Sequence, residues 1–321
     1  MPDLSVGGQA VIEGVMMRSK DRVATAVRIS TGEILVKSEE SISLTKKYKI
    51  LAWPVLRGII TFFEMLIIGI RTLNFSADIA VKEIEKSEAL ASGQVYVPKE
   101  RKSSNFVLIG TVIFALGLGI FIFFFLPLAI SSLLNVQRDA IAFNLVAGGI
   151  RVLLFLLYVW GISQFREFRR VFQYHGAEHK SIYAYETGEE LTIDNVARFS
   201  TFHPRCGTSF ILIVALFAIL IYSFTDSLYA VIVGVPPALA KRFLMHFLLL
   251  PLVAGGAYEL LKLSGKTRDN KITKLLIQPG LWLQRITTRE PSPEQMEVAI
   301  VALETALGIT ESKLVVKKTC L

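Results

Sequence analysis

The sequence predicts an all-α polytopic membrane protein. It would have about four transmembrane helices, one short re-entrant or interfacial helix, and a small N-terminal cytosolic β subdomain. Two observations predict this fold class. Hydrophobic residues make up 52% of the 321 positions and the mean hydropathy is +0.51, well above that of an ordinary soluble domain. Residues 106–134 and 208–235 are almost uncharged, over stretches longer than the roughly 20 residues that a helix needs to cross a bilayer.

Residues 1–47 are soluble in character and form the first predicted unit, a β-hairpin subdomain at the cytosolic surface. The strand-like runs VATAVRIS and EILVKSEESISL flank Ser30, Thr31 and Gly32, a turn signal that predicts a hairpin. The preceding run GGQAVIEGVMMR adds a third strand, with its glycines at tight backbone bends. Because the first residues lack a basic segment followed by an apolar core, we expect no cleavable signal.

Residues 48–105 are predicted to form a membrane-associated helix and a charged linker. The purest apolar part, Gly58–Ile70, is 13 residues long and contains Glu64. A helix of that length covers about 20 Å, less than the roughly 30 Å hydrocarbon core of a bilayer. We therefore expect Pro54–Ala80 to be re-entrant or interfacial rather than spanning. Ser76–Leu90 is predicted as a charged helix that leads into the polar linker.

Four spans follow, two within residues 106–163 and two within residues 208–263. Their predicted bounds are Phe106–Leu134, Ile141–Ser163, Thr208–Val235 and Phe243–Leu263. The connectors after the first and third spans hold few basic residues, whereas the other flanks are rich in them. The positive-inside rule therefore predicts a protein of the cytoplasmic membrane with both termini in the cytosol. Orientation also explains the net charge of +8, so we expect no nucleic-acid partner.

Residues 264–321 return to soluble character and are predicted to form a cytosolic amphipathic tail. The run GLWLQRIT after Pro279 combines apolar and basic residues, as in a helix that lies on a membrane surface. Ser292 and Gln295 form a capping box with proline between them, which predicts the start of an amphipathic helix that ends near Leu307.

The loop of residues 164–207 holds most of the residues capable of chemistry. It contains His175, His179 and His203 of the four histidines and Cys206 of the two cysteines. His175 and His179 are four apart, which on a helix places both imidazoles on one face within reach of one ion. The run HGAEH also matches the H-x-x-E-H pattern, in which Glu178 would act as the general base. The alternative is a surface helix whose histidines face lipid headgroups.

The run FHPRCGTSF enters the third span, so its end lies near a helix N-terminus, where backbone N–H groups attract anions. Arg205 would help to hold an anionic group there. Both features also lower a thiol pKa. Cys206 is therefore a zinc ligand, a nucleophile served by His203, or a small packed residue.

Ionisable residues near or within the spans have two interpretations each. Glu259 either completes a metal site or pairs with a lysine one turn later, next to the Gly255-Gly256 pair that permits close helix approach. Arg151 either pairs with an acid or faces a cavity. His246 is predicted to be a structural, hydrogen-bonding histidine.

Four long motifs together resemble those of the YqhQ-like family of bacterial integral membrane proteins, a domain of unknown function. They are GGQAVIEGVMMR at 7–18, YHGAEHKSIYAYE at 174–186, FHPRCGTSF at 202–210 and PGLWLQRITTREP at 279–291. The resemblance implies a metal-dependent enzyme and places the histidines, Glu178 and Cys206 in the family pattern. It also adds Gln9, Glu13 and Arg18 as candidates, whose alternative is a hairpin with a structural glutamine and a solvated glutamate.

The leading hypothesis is a metal-dependent hydrolase at the cytosolic membrane face. His175, His179 and either His203 or Cys206 would bind Zn²⁺ and leave one position for water. The substrate would be a lipid headgroup or a membrane-proximal peptide. Two alternatives remain open: a non-catalytic scaffold with a structural metal site, and a small-solute transporter that depends on Arg151.

Overall fold

The computed structural model describes residues 6–93, 105–136, 139–204, 206–266, 270–309 and 316–318. Five strands form one sheet: β1 (Gly7–Val11), β2 (Gly14–Arg18), β3 (Arg22–Arg28), β4 (Ile34–Glu40) and β5 (Val316–Lys318). Eleven helices lie in the described ranges: α1 (Leu44–Lys47), α2 (Leu56–Ala91), α3 (Asn105–Ile120), α4 (Leu126–Leu133), α5 (Ala140–Ile162), α6 (Arg166–Thr187), α7 (Ile193–Ala197), α8 (Gly207–Val233), α9 (Leu239–Lys266), α10 (Lys271–Thr287) and α11 (Pro293–Leu307). A 3₁₀ turn (Lys49–Ala52) precedes α2, and a π-helical turn (Phe121–Phe125) joins α3 to α4.

The N-terminal segment forms four antiparallel strands, one more than predicted. GGQAVIEGVMMR makes two strands rather than one, because Val11 pairs with Gly14 across a two-residue turn. Glu13 in that turn has a left-handed φ of 53°. Gly14 is required there because a Cβ at this position would lie 2.1 Å from the carbonyl oxygen of Ala26. The predicted hairpin around Ser30–Gly32 is confirmed as the β3–β4 connection.

The sheet shares one hydrophobic core with helices that are far away in sequence. α11 packs across β2 and β3, α6 packs against β1 and α11, and β5 extends the sheet in parallel beside β4. The core thus draws on segments before the first predicted span, between the second and third, and after the fourth. Its largest fully buried members include Tyr174, Met17, Ile34, Ile300 and Leu303.

α2 differs from the prediction because it is one continuous helix of 36 residues, without a break near Ser76. No proline interrupts it, and the Ser76 hydroxyl accepts a hydrogen bond from the Ile12 amide at 3.3 Å. The predicted close approach at Gly255 is confirmed. A Cβ on Gly58 of α2 would lie 2.7 Å from the Gly255 carbonyl oxygen of α9.

Within the described part of the chain, four helical segments are long and apolar enough to cross a membrane, as predicted in number. They are Gly110–Leu133, Ala140–Ile162, Ile213–Val233 and Leu239–Leu260. The fourth of these segments, in α9, begins before its predicted start at Phe243. It can include the charged Arg242 because that side chain is buried against Asp226. α2 is not among these four candidates.

The two C-terminal helices differ in how well their bounds were predicted. The Ser292 capping box is confirmed: its side chain accepts from the Gln295 amide, and the Gln295 side chain accepts from the Ser292 amide. α11 ends at Gly308, whose φ is 77°. α10 begins at Lys271, earlier than the predicted run, and it packs against α8.

Candidate functional site

The candidate site is built on α6, which is a buried helix over much of its length. His179 is 1% exposed and Glu178 is 5% exposed, so neither lies on an open surface. Gly176, between the two histidines, lets the chain after α10 approach closely. A Cβ there would lie 2.1 Å from the carbonyl oxygen of Arg289. The glycine of HGAEH is therefore a packing requirement.

Three side chains converge at this helix and are called here the His–His–Cys cluster: His175, His179 and Cys206. Their ligand atoms all lie within 4.8 Å of one another, and His175 Nε2 is 3.3 Å from Cys206 Sγ. In a tetrahedral zinc site, bonds of about 2.0 Å to nitrogen and 2.3 Å to sulfur place those atoms about 3.5 Å apart. The donor types therefore suit a zinc ion, and the His175–Cys206 pair has the spacing of two zinc ligands.

Backbone carbonyls orient both imidazoles. His175 Nδ1 is 2.7 Å from the Thr287 carbonyl oxygen, and His179 Nδ1 is 2.5 Å from that of Thr201. Because a carbonyl only accepts, each Nδ1 carries the hydrogen and each Nε2 presents a lone pair. This is the arrangement in which a second hydrogen bond positions a metal-binding histidine. His179 Nε2 is buried and makes no hydrogen bond within the described ranges.

Burial also sets the charge state of His179. Removal from water lowers the pKa of this imidazole, and the nearby Cys206 thiol opposes that effect only in part. The ring is therefore neutral near neutral pH, as a metal ligand must be.

The chain that follows α10 is held along α6, and this explains how Thr287 reaches the site. The Arg289 amide donates to the Phe172 carbonyl oxygen at 2.9 Å. One turn beyond the cluster, the buried Lys180 ammonium donates to Glu290 at 2.5 Å and to the Ala197 carbonyl oxygen at 3.0 Å. The motif PGLWLQRITTREP thus supplies a carbonyl to the site as well as a helix.

His203 lies beside the cluster but turns its ring toward another partner. Its Nε2 is 3.5 Å from Glu186 Oε1, and its ring meets Tyr183 edge-on at 4.6 Å. The Gln284 amide holds the His203 backbone through two hydrogen bonds of 2.8 Å. Of the predicted metal ligands, the structure brings His175, His179 and Cys206 together, while His203 lies 5.7 Å from His179 between ring centroids.

Glu178 points from α6 toward β1. A Cβ on Gly8 would lie 2.9 Å from the carboxyl carbon of Glu178, so this glycine makes room for the side chain, and the Gly8 amide donates to it. Burial raises the pKa of Glu178, and the neighbouring His175 and His203 oppose that shift. A carboxyl that holds its proton more tightly than usual beside a ligand cluster is suited to proton transfer.

Gln9 and Arg18, which the motif resemblance adds, connect the sheet to α2. The Gln9 side chain packs on Gly69, where a Cβ would lie 2.8 Å from its amide oxygen. Arg18 forms an ion pair with Glu64 at 3.3 Å. Glu64 also accepts a hydrogen bond from the backbone amide of Leu44 at the start of α1. This residue of the apolar helix α2 therefore contacts both β2 and α1.

Glu13 and Glu259 also pair with arginines away from the cluster. Two guanidinium nitrogens of Arg170 of α6 donate to the Glu13 carboxylate, Nε at 2.6 Å. The Tyr174 hydroxyl lies 3.4 Å from the same carboxylate. Glu259 of α9 binds Arg57 of α2, again with an Nε distance of 2.6 Å, rather than the lysine one turn later.

Arg205 and Cys320 fall outside the described residues. α8 begins at Gly207, directly after Cys206, so the thiol adjoins the N-terminus of a helix of 27 residues. As the sequence suggested, the cysteine therefore lies beside the backbone N–H groups of a helix N-terminus, where anions are attracted.

A second polar cluster, in the helix bundle, escaped prediction and is called here the Asp226 cluster. Asp226 accepts from Asn144 at 2.9 Å and from Arg242 at 2.8 Å, and it lies 3.0 Å from His246 Nε2. All four side chains are at most 3% exposed. The prediction that His246 is a hydrogen-bonding histidine is confirmed. The acid inside a predicted span was the signal that could have revealed its partner.

The fold and the site define a class of protein: a bundle of four candidate membrane spans that carries a β-sheet domain with a buried histidine–cysteine cluster. A family model described as "Protein of unknown function (DUF1385)" matches residues 53–309, and the chain belongs to this family. The "Uncharacterized protein YqhQ" of Bacillus subtilis (strain 168) is 35% identical over 320 residues, which cover 94% of this chain and 92% of that protein. The resemblance drawn from the motifs is thus confirmed at the level of the family. No solved structure matches the chain.

Proposed function

We propose that the chain is a multi-pass protein of the cytoplasmic membrane whose sheet domain, α6 and both termini lie in the cytosol. The shared core supports this placement. The sheet precedes the first candidate span, α6 lies between the second and third, and α11 follows the fourth. These elements pack together only if an even number of crossings separates them. Four spans meet that condition when α2 lies at the interface, and the basic flanks favour the cytosolic side.

Within that placement, the proposed activity is metal-dependent hydrolysis with Zn²⁺ held by His175, His179 and Cys206. The supporting observation is that two Nε2 atoms, each oriented by a backbone carbonyl, converge on one thiol. Nitrogen and sulfur donors are the preferred ligands of zinc, and three protein ligands with a fourth position for water are typical of catalytic sites.

The chain's own groups would divide the chemistry as follows. A zinc ion, when bound, lowers the pKa of its water and so supplies a nucleophile near neutral pH. Glu178 would accept a proton from the attacking water and pass it to the leaving group. Arg205 and the N-terminus of α8 hold an anionic group of the substrate. Because Cys206 adjoins the first turn of a candidate span, a lipid headgroup or a membrane-proximal peptide fits the location.

A second candidate function uses the thiol itself. His175 Nε2 is within hydrogen-bond distance of Cys206 Sγ, and the Thr287 carbonyl fixes the other ring nitrogen. A nucleophile, a base and a group that orients the base are the three parts of thiol catalysis. Cys206 would then attack a carbonyl carbon without a metal, with His175, rather than the predicted His203, accepting its proton.

Metal content distinguishes these candidates. Elemental analysis of the detergent-solubilised protein should find near one zinc per chain in the wild type, and little in His175→Ala or Cys206→Ala. His203→Gln is the matched control, because it removes a buried histidine beside the cluster and should keep the metal. Glu178→Gln should also keep it while losing hydrolysis of phosphoester and peptide probes.

Other outcomes would redirect the proposal. A wild type that binds no metal after reloading, but whose Cys206 is alkylated rapidly in a His175-dependent manner, would support thiol catalysis instead. Bound metal lost in His203→Gln as well would indicate a closed four-ligand site with a structural role. A fully active Glu178→Gln would remove that residue as the base.

A further inference from the structure

Arg151 of α5 lies about halfway along the second candidate span, and no carboxylate among the described residues pairs with its charge. Its Nε donates to the Phe123 carbonyl oxygen at 2.9 Å, in the π-helical turn between α3 and α4. Its Nη2 is buried and makes no hydrogen bond to any described residue. The guanidinium otherwise faces two rings, Phe124 at 5.2 Å and Tyr222 at 6.0 Å between its carbon and the ring centroids.

The contrast with Arg242 shows what Arg151 lacks. Arg242 is more deeply buried than the half-buried Arg151, and the Asp226 carboxylate lies 2.8 Å from its Nε. Among the described residues, no carboxylate lies within ion-pair distance of Arg151. An unneutralised cation inside a bilayer is costly, and residues of this kind mark binding sites or pathways. The neutralising anion is therefore expected to come from outside the described part of the chain.

Beside Arg151 lies a cleft of about 160 Å³ that is lined by residues of all four candidate spans, the fourth through Leu250. Arg151 is the charged residue of its lining, which is otherwise aromatic and aliphatic, including Phe123, Phe124, Phe155, Ala218 and Tyr222. At roughly 30 Å³ per water-sized group, the cleft has room for a small polar head group and a few methylene groups of a ligand. A phosphodiester with two organic substituents is larger than that.

We propose that this cleft binds the carboxylate of a fatty acid. The Arg151 guanidinium would donate to the carboxylate, the first methylene groups would contact the aromatic walls, and the remaining chain would lie in the surrounding lipid. One fixed cation matches one negative charge, and the flat guanidinium edge is well suited to a carboxylate. The inference rests on the four helices spanning a membrane. It is independent of metal binding at the His–His–Cys cluster.

The test is equilibrium binding of radiolabelled palmitate to the full-length protein in nanodiscs of zwitterionic lipid. We expect one saturable site per chain, displaced by unlabelled palmitate but not by the uncharged methyl ester. Arg151→Met should weaken binding at least about tenfold, as the loss of one charge-assisted hydrogen bond predicts. Ala215→Phe, which fills the cleft and keeps the arginine, should weaken it similarly.

Leu153→Phe is the matched control, because it adds the same ring at an exposed position on α5, the helix that carries Arg151. It should bind palmitate as the wild type does. If Arg151→Met does not fold, Arg151→Lys and Ala215→Phe still carry the test. Equal displacement by palmitate and its methyl ester, or unchanged binding in both Ala215→Phe and the arginine variants, would overturn the proposal. Zinc content unaffected by these variants would keep the result separate from the proposed hydrolase.

Discussion

The His–His–Cys cluster and the Asp226 cluster are both buried and both contain histidine, but their hydrogen bonds differ in direction. In the bundle, Asn144, Arg242 and His246 surround one carboxylate. On α6, the histidines direct their hydrogens outward to carbonyls and their lone pairs inward.

Under the proposed function, this difference separates a stabilising cluster from a metal-binding one. Donors that surround a carboxylate satisfy a charge within the protein and leave little need for a ligand. Converging lone pairs and a thiol are a donor set that suits a cation. The location of a buried histidine therefore says less about its role than the atoms that its two nitrogens face.

The largest expected effect separates the two clusters by stability. Asp226→Ala removes the partner of three buried polar or cationic groups and should lower the free energy of unfolding by about 3–5 kcal/mol, as when one partner of a buried ion pair is lost. Cys206→Ala, measured in the presence of a metal chelator, should change the free energy of unfolding little, because no buried charge loses its partner. Denaturant unfolding in detergent measures both. Similar losses for the two variants would mean that both clusters are structural.

A smaller effect should follow from disturbing the carbonyl that orients His175. Gly176→Ala places a methyl group against the Arg289 carbonyl, so the chain after α10 must shift and move Thr287 with it. Loss of such an outer contact typically weakens metal affinity by about 10–100-fold. Competition with a zinc chelator gives the affinity, and Gly149→Ala, which has open space around it, is the control. An unchanged affinity would show that the carbonyl does not set the ligand geometry.

The smallest effect concerns Glu304 of α11, a carboxyl for which burial alone raises the pKa above the ordinary 4.5. The folded state therefore holds this proton more tightly than the unfolded state does. The contribution to stability is present below pH 4.5 and is lost as the pH rises through the higher folded pKa. Glu304→Gln should match the wild type near about pH 4 and exceed its Tm near neutral pH.

Glu297→Gln is the control for that experiment, since Glu297 on the same helix pairs with Arg28. It should lose stability near neutral pH. A Tm gain of Glu304→Gln that does not depend on pH would show that packing, rather than ionisation, causes it.

Local signals predicted much of this molecule. Helix-length apolar runs give the number of candidate spans, and the capping box gives the start of α11. The i, i+4 spacing places His175 beside His179. Long-range contacts could not be predicted, because the Thr287 carbonyl is 112 positions from His175 and Asn144 is 82 positions from Asp226. Nor does composition show that His203 turns toward Glu186, since that depends on how Gln284 holds its backbone.

The joining of β2 and β3 to α11 has a consequence for how the protein is made. About 250 residues separate the end of β4 from the start of α11. At a synthesis rate of about 5–20 residues per second, the strands are made roughly 13–50 seconds before the helix that covers them. The Thr287 carbonyl, too, arrives only after all four candidate spans. The candidate site is thus completed late, and a chain that ends midway through synthesis would lack the carbonyl that orients His175.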